Sequence, residues 1–377
     1  MKARLLAALL WLASVLLSTT SKAETLHYPL LPVRSDAPRL LIHGALDPPL
    51  IAPVLEDFHR RHPHIDLSYR NLTTLEIHRA FLSDGGETPP DVVMSSAMPW
   101  QYQLANHGYA QPLESQEARE WPAWAHWRHE LFGITFEPVV IVYRKELAKR
   151  FGAVNDHGEL LRLLERERDE LRGRVVTYDP ARSGAGYTYA VEEARLSPRY
   201  WALVAALGGV EADLVGTTGE MLDGLAKGRY LIGYNLLGSY AQAFSREHPE
   251  LEVVVPDDYA LVMQRLVFLS RSAGNPAPGQ RFLDYLLSEA GQRVIGEHTP
   301  LGTVHPALEG PGSAQALRER LGEALRPIRL GPGLLATLDR LKREALLARW
   351  ELEFRRGATS PRPHSLHPRP RSHHDAP

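Results

Sequence analysis

Arg182-Ser183-Gly184-Ala185-Gly186-Tyr187 sets a guanidinium, a hydroxyl and three small residues just after the β-branched run Val175-Val176-Thr177 and the turn Asp179-Pro180. The segment that follows reads as a helix. A strand feeding a glycine-rich loop and then a helix N-terminus leaves backbone N–H groups unpaired. Such an end carries about half a positive charge and favours anions. Gly184 and Gly186 let a phosphate or carboxylate approach the backbone closely. Arg182 adds a bidentate charged contact, and Tyr187 is placed to close over the ligand. The alternative is a tight strand-to-helix turn that binds nothing.

Other chemistry is missing from the chain. The pattern G-x-G-x-x-G fails at its third glycine, where Tyr189 stands. There is no G-x-x-x-x-G-K-[ST] phosphate loop, no G-x-S-x-G nucleophile elbow and no H-E-x-x-H zinc pair. His126 and His129 have the spacing to share a helix face, but two ligands fall short of the three or four a metal site uses. Trp121, Trp124 and Trp127 read as core packing, with a carbohydrate-stacking platform as the alternative. Asp257-Asp258 reads as a turn, since neighbours on an extended chain point to opposite faces. No nucleophile, base and orienting group stand together. Binding without catalysis, cofactor or metal is the expectation.

The elements that must hold the loop alternate. Arg39 to His43 reads as a buried strand, Ile51, Val54, Leu55 and Phe58 as a helix face, and Ile65, Leu67 and Tyr69 as a strand. Thr73 with Glu76, and Thr217 with Glu220, have the spacing of capping boxes. Asp91 to Met94 and Tyr230 to Tyr234 are further strands, and Leu334 to Leu352 reads as a long final helix. This βαβαβ order gives an α/β fold with mostly parallel sheets flanked by helices. Ligands of open α/β sheets sit beyond the C-terminal ends of the strands. The candidate ligand residues are therefore His43, Gly44 and Ala45; Ser95 and Ser96; Arg182, Ser183, Gly184, Ala185, Gly186 and Tyr187; and Asn235, Gly238, Ser239 and Tyr240.

The chain has 377 residues, enough for two cores. Lys2 and Arg4, the apolar run Leu5 to Leu17 and the small residues before Glu24 read as a cleavable signal peptide over residues 1–23. Its removal takes three basic side chains and no acid, so 40 basic and 45 acidic side chains remain, a formal charge of −5. That balance gives no general attraction for nucleic acid or anionic lipid. Cysteine is absent, which excludes a disulfide framework and a lipoprotein anchor. The expected address is the periplasm. Residues 357–377 are rich in Pro, Arg and His and read as a disordered tail in which His364, His367, His373 and His374 bind metal at most weakly.

The ordered series "GRVVTYDPARSGAGY", "TTGEMLDGLAKGRYLIGYNLLGSYA", "PDDYALVMQRLVFLSRSAGNP" and "FLDYLLSEAGQ" resembles the class II, ferric-iron-type periplasmic solute-binding proteins of ABC-type transport, and among them the phosphoglycerate transport regulatory members. The resemblance covers about residues 38–350. It implies two α/β lobes, 38–134 with 259–356 and 140–253, joined by crossovers near Gly133–Val142 and Val253–Ala260. It implies a monomer that holds a small anionic solute between the lobes and hands it to a membrane permease or signals through a sensor histidine kinase. Ferric-binding members carry two adjacent tyrosines where this chain has Gly238-Ser239, with Tyr240 alone after them. An iron carrier and an enzyme on the same frame are the alternative readings.

Overall fold

The computed structural model describes residues 24–30, 37–83 and 88–359. The expected leader and the tail histidines lie outside these residues. Along the chain the first strands are β1 (Thr25–Tyr28), β2 (Arg39–Gly44), β3 (Asp66–Asn71), β4 (Val92–Ser95), β5 (Ala110–Gln111), β6 (His126–Trp127) and β7 (Leu131–Gly133). Then follow β8 (Glu137–Arg144), β9 (Val175–Tyr178), β10 (Asp213–Val215), β11 (Ile232–Leu237), β12 (Leu251–Val254), β13 (Ala260–Met263), β14 (Leu266–Ser270) and β15 (Leu325–Pro327).

Among the described residues these strands form two sheets. The first runs β1-β3-β2-β4-β14-β7-β6, with β5 paired to β14. The second runs β10-β9-β11-β8-β13-β15, with β12 paired to β8. Each is mixed, with a parallel trio at its heart: β3-β2-β4 in one and β10-β9-β11 in the other. Helices cover the faces, so strands such as β4 and β9 are buried along their whole length and read as continuous apolar runs. Local signals fix the helix starts. Pro48 opens the helix Pro48–Arg61, and both expected capping boxes form at the helices Thr74–Leu82 and Thr218–Ala226.

The strand β8 carries the chain from one unit to the other. Phe136, just before it, belongs to the core around the first sheet, whereas Ile141 and Tyr143 belong to a core behind the second. Residues 255–259 return between β12 and β13. The pair Asp257-Asp258 makes the expected turn there, and Asp258 is tied to the second unit. His157 Nδ1 lies 2.8 Å from Asp258 Oδ1, and the ring stacks on Tyr259 at 4.0 Å. Its Nε2 lies 3.5 Å from Glu193 Oε1, and Glu193 also accepts from Tyr234 Oη at 2.7 Å and Tyr259 Oη at 3.3 Å.

Two expectations are corrected at the C-terminal end of the described residues, and a third at His126 and His129. The last helix, Arg340–Thr359, was expected with the first lobe but packs along the helix Tyr200–Gly209 of the second unit. Glycines allow the backbones to touch. A Cβ on Gly208 would lie 1.8 Å from the Phe354 carbonyl oxygen, and one on Gly357 would lie 1.7 Å from that of Ala205. Arg168 Nη2 donates to the Gly357 carbonyl at 2.8 Å and Trp350 Nε1 donates to Tyr200 Oη at 3.1 Å. Residues 357–359, expected in the tail, are thus the final turn of this helix. His126 and His129 sit on a hairpin, not a helix. Their rings stack at 4.7 Å, and each Nδ1 faces a carbonyl, of Pro122 and of Ala118. Trp121 is buried and donates to the Gly133 carbonyl, in keeping with the core reading.

Gly208→Ala tests the helix contact. Helix propensity alone would gain about 1 kcal/mol, but the backbone oxygen at the new Cβ cannot swing aside. We expect a net loss of about 1–3 kcal/mol in urea unfolding, with the helix register disturbed. Unchanged or increased stability would show that the two helices do not touch there.

His157 gives a pH dependence. Burial alone would lower its pKa, but its contacts with Asp258 and Glu193 raise it from 6.5 to about 9. A raised pKa stabilises the protonated state, so this contribution is complete below pH 6.5 and lost as pH rises through about 9. It amounts to about 3 kcal/mol at most. Unfolding free energies should fall between pH 6.5 and 9.5, and the fall should shrink in His157→Gln. An equal fall in both proteins would assign it to other groups.

Candidate ligand-binding cleft

The C-terminal ends of the parallel strands of both sheets open onto one cleft of about 1110 Å³. Ala45 and Asp47 after β2, Asn71 to Thr74 after β3, and Ser96 after β4 line one wall. Arg182, Ser183 and Ala185 after β9, Gly216 to Glu220 after β10, and Leu237 and Tyr240 at the end of β11 line the other. Five helices start here, at Pro48, Thr74, Gly184, Thr218 and Gly238. The cap residue of each, Asp47, Thr73, Ser183, Thr217 and Leu237, is part of the cleft lining. The positive ends of five helix dipoles therefore converge on one space, although Pro48 and Pro49 leave the first without its leading N–H groups and Gly238 and Ser239 of the last lie on the other side of β8.

Charged side chains of both signs line the cleft. Arg70, Arg79 and Arg182 line the cleft, as do Glu24, Asp47, Glu76 and Glu220. The last two carboxylates are committed to their caps. Glu76 Oε2 accepts from Thr73 N at 2.9 Å, and Glu220 Oε2 accepts from Gly216 N and Thr217 N, both at 2.9 Å. Arg79 and Arg182 are exposed and make no ion pair among the described residues.

The glycine loop is a helix start with its amides partly engaged. Ser183 Oγ accepts from Gly186 N at 3.1 Å, and Gly184 N donates to Thr74 Oγ1 at 3.2 Å across the cleft. A second bond crosses between the walls, from Asp47 N to Tyr240 Oη at 3.1 Å. Burial pushes the Tyr240 phenol up to about 12. Tyr178, also in the lining, is raised by burial too, and its hydroxyl pairs with Thr218 Oγ1.

Of the residues expected from the sequence, Ala45, Ser96, Arg182, Ser183, Ala185 and Tyr240 share this cleft. Others support it from behind. His43 and Gly44 lie in β2, where a Cβ on Gly44 would meet the Tyr69 ring at 2.3–2.5 Å. Ser95 Oγ accepts from Ala97 N, and Gly186 lies against Tyr178.

Four expectations are corrected. Tyr187 does not cover the cleft. It is one helical residue too far round, buried edge-on against Trp100, with its hydroxyl bonded to the Thr337 carbonyl. Asn235 has a positive φ of 65° and donates to Glu193 Oε2 at 3.0 Å, inside the buried network of His157. Gly238 and Ser239 face the opposite side of β8. A Cβ on Gly238 would lie 2.6 Å from the Pro138 carbonyl oxygen, and Ser239 Oγ donates to Glu137.

Thr74, Tyr178, the Thr217–Gly219 turn, Arg70, Arg79 and Arg265 were not anticipated. The capping-box pattern marked the helix starts at Thr73 and Thr217, and it could have led to the two turns. Arg265 carries no local signal. It is fully buried between β13 and β14, with Nε 2.9 Å from Glu137 Oε1 but not aligned for a hydrogen bond. Its Nη1 donates to the Ala45 carbonyl at 2.9 Å, and its guanidinium lies 5.6 Å from the centre of the Tyr240 ring. Burial alone would lower its pKa; the Glu137 carboxylate more than reverses that.

Two α/β units with a polar cleft between the strand ends define a ligand-trapping protein of the two-lobed periplasmic binding type. Residues 40–298 match the family of bacterial extracellular solute-binding proteins, and the chain belongs to that family. It is similar to the substrate-binding protein of an ABC transporter from Agrobacterium tumefaciens, with 34% identity over 88% of this chain and 99% of that one, and a TM-score of 0.85. The fold is also shared with fructose-6-phosphate-bound AfuA from Actinobacillus pleuropneumoniae, at 16% identity over 84% and 98% of the two chains and a TM-score of 0.69. Iron-bound HitA from Pseudomonas aeruginosa gives 16% identity over 84% and 99%, and a TM-score of 0.65. No curated protein matches in sequence.

Proposed function

We propose that the protein is a periplasmic receptor for a small anionic solute, a phosphorylated or carboxylated metabolite. It delivers that solute to an ABC-type permease or reports it to a membrane sensor kinase. The observation that carries this reading is the convergence of five helix N-termini on the cleft, with Arg79 and Arg182 exposed at its edge. Each helix end favours negative charge by about 0.3–1 kcal/mol at the surface, and more where it is partly buried. A ligand oxygen at the Gly184 amide takes the place of the Thr74 hydroxyl. The permease partnership is supported by the Agrobacterium relative, and a phosphate group in the ligand by AfuA.

The two units move about β8 and residues 253–260. A ligand that touches both walls favours the closed state, because only there does it make both sets of contacts. A ferric cargo is the weaker reading. It needs ionised phenolates, whereas Tyr178 and Tyr240 are raised by burial and their hydroxyls are already hydrogen-bonded.

Calorimetric titration with the copurified ligand tests the site. Arg182→Ala should weaken binding by about ten- to hundredfold, as expected for a lost charge-assisted bond of about 1.5–3 kcal/mol. Arg182→Lys should restore only part of it. Gly184→Val should also weaken binding, because its Cβ would lie 2.9 Å from Ala97 Cβ and 3.0 Å from Thr74 Oγ1 and hold the walls apart. Wild-type affinity in Arg182→Ala and Gly184→Val would reject this cleft as the anion site. A tyrosinate absorbance on adding Fe(III) would instead support the iron reading.

A further inference from the structure

Gly238 and Ser239 begin a helix with two faces. Tyr240 faces the front cleft, while Ser239, Gln242 and Arg246 line a second cavity of about 590 Å³. The two cavities share no lining residue. The rear cavity lies across β8, with Glu137, Pro138 and Val140 in its wall, and it is completed by residues 299–303, 307–313 and the helix Ala314–Leu321. Its volume is within the range of small-molecule sites, about 300–1,000 Å³.

The floor and the mouth differ in character. Phe136, Val140, Leu301 and Leu317 make a buried apolar floor. Few polar groups there are free to hold a polar ligand. Ser239 is bonded to Glu137, and that carboxylate is paired with Arg265. At the mouth stand Arg246, from the second unit, and Arg320, at the end of a helix that packs on the first core. Both are exposed and make no ion pair among the described residues. Arg293 beside them is already bonded to Glu289 and lies 3.7 Å from Glu297. An apolar floor under a rim with two available guanidiniums from different units, against one available carboxylate, the exposed Glu309, suits a molecule with a hydrocarbon body and one anionic head. The body removes apolar surface from water, at about 25 cal/mol per Å² buried. The head stays at the rim, where guanidiniums bind carboxylates in forked geometry.

We propose that this rear cavity is a second ligand site, separate from the solute cleft, and that it takes an apolar-bodied carboxylate or related organic anion. The site depends on neither the identity of the front solute nor the reading of the front cleft.

Dodecanoate is the probe, titrated calorimetrically into the full chain, with inorganic phosphate and dodecyltrimethylammonium as comparisons. One dodecanoate per chain should bind, and neither phosphate nor the cationic detergent should bind at the same site. Arg246→Ala with Arg320→Ala should weaken dodecanoate at least tenfold. Ala307→Trp, which fills the mouth from an exposed loop position, should weaken it to a similar extent without lowering the melting temperature. The proposal is overturned if dodecanoate does not saturate, if the cation binds as tightly, or if the double variant keeps wild-type affinity. It is equally overturned if Arg182→Ala abolishes dodecanoate binding while the double variant retains it, since the probe then occupies the front cleft.

Discussion

A fully buried guanidinium, Arg265, lies against the fully buried carboxylate of Glu137 where the chain passes from one unit to the other. Three segments behind the cleft are tied to this pair. Thr135 Oγ1 donates to Glu137 Oε1 at 2.7 Å and accepts from Arg265 N at 2.9 Å. Ser239, at the start of the helix after β11, donates to Glu137, and Arg265 reaches the Ala45 carbonyl in the first wall. A buried pair of this kind gives little net stability, because desolvating both charges offsets their attraction. Leaving either partner alone is a different matter, costing about 3–5 kcal/mol. The pair therefore acts as a constraint on geometry. It places the loop after β2 and the helix start after β11 relative to β8, and so sets where the two cleft walls begin.

The rest of the binding chemistry follows from strand direction. In both sheets the parallel trio ends at the cleft, and helices begin there. Helix N-termini from two otherwise unrelated sequence regions are thus aimed at one space, where they supply positive potential without a lysine cluster. Four carboxylates share the lining with three arginines, and two of them, Glu76 and Glu220, are spent on helix caps, so the exposed Arg79 and Arg182 and the backbone dipoles are what the cleft offers an anion. The bonds Gly184 N to Thr74 Oγ1 and Asp47 N to Tyr240 Oη give the walls a polar contact that a solute with several oxygens can replace.

Local patterns in the sequence were legible and global ones were not. The capping boxes at Thr73 and Thr217, the helix face of Ile51, Val54, Leu55 and Phe58 and the buried runs of β2, β4 and β9 depend on neighbours a few residues away, and each formed where expected. The loop after β9 contributes Arg182, Ser183 and Ala185 to the cleft lining. Tyr187 was misplaced because a helix turns about 100° per residue, and which face meets the first unit depends on distant packing. Gly238-Ser239 looked like a front-facing anion start. The glycine is there because the helix passes within contact of the Pro138 carbonyl, a fact of tertiary register. The last helix carries apolar residues that its neighbours do not assign to either unit, and its partner is set by Gly208 and Gly357 meeting carbonyls opposite them. Arg265 reads as an ordinary surface charge until Glu137, 128 residues earlier, is placed beside it.

The central claim is that the front cleft holds a small anion. Native mass spectrometry of the protein as purified, followed by release and accurate mass of whatever is bound, tests it most directly. The account predicts one small molecule per chain bearing phosphate or carboxylate groups, absent from the spectrum of Arg182→Ala prepared in the same way. A neutral or cationic ligand, or an anion retained at wild-type occupancy by Arg182→Ala, would contradict it.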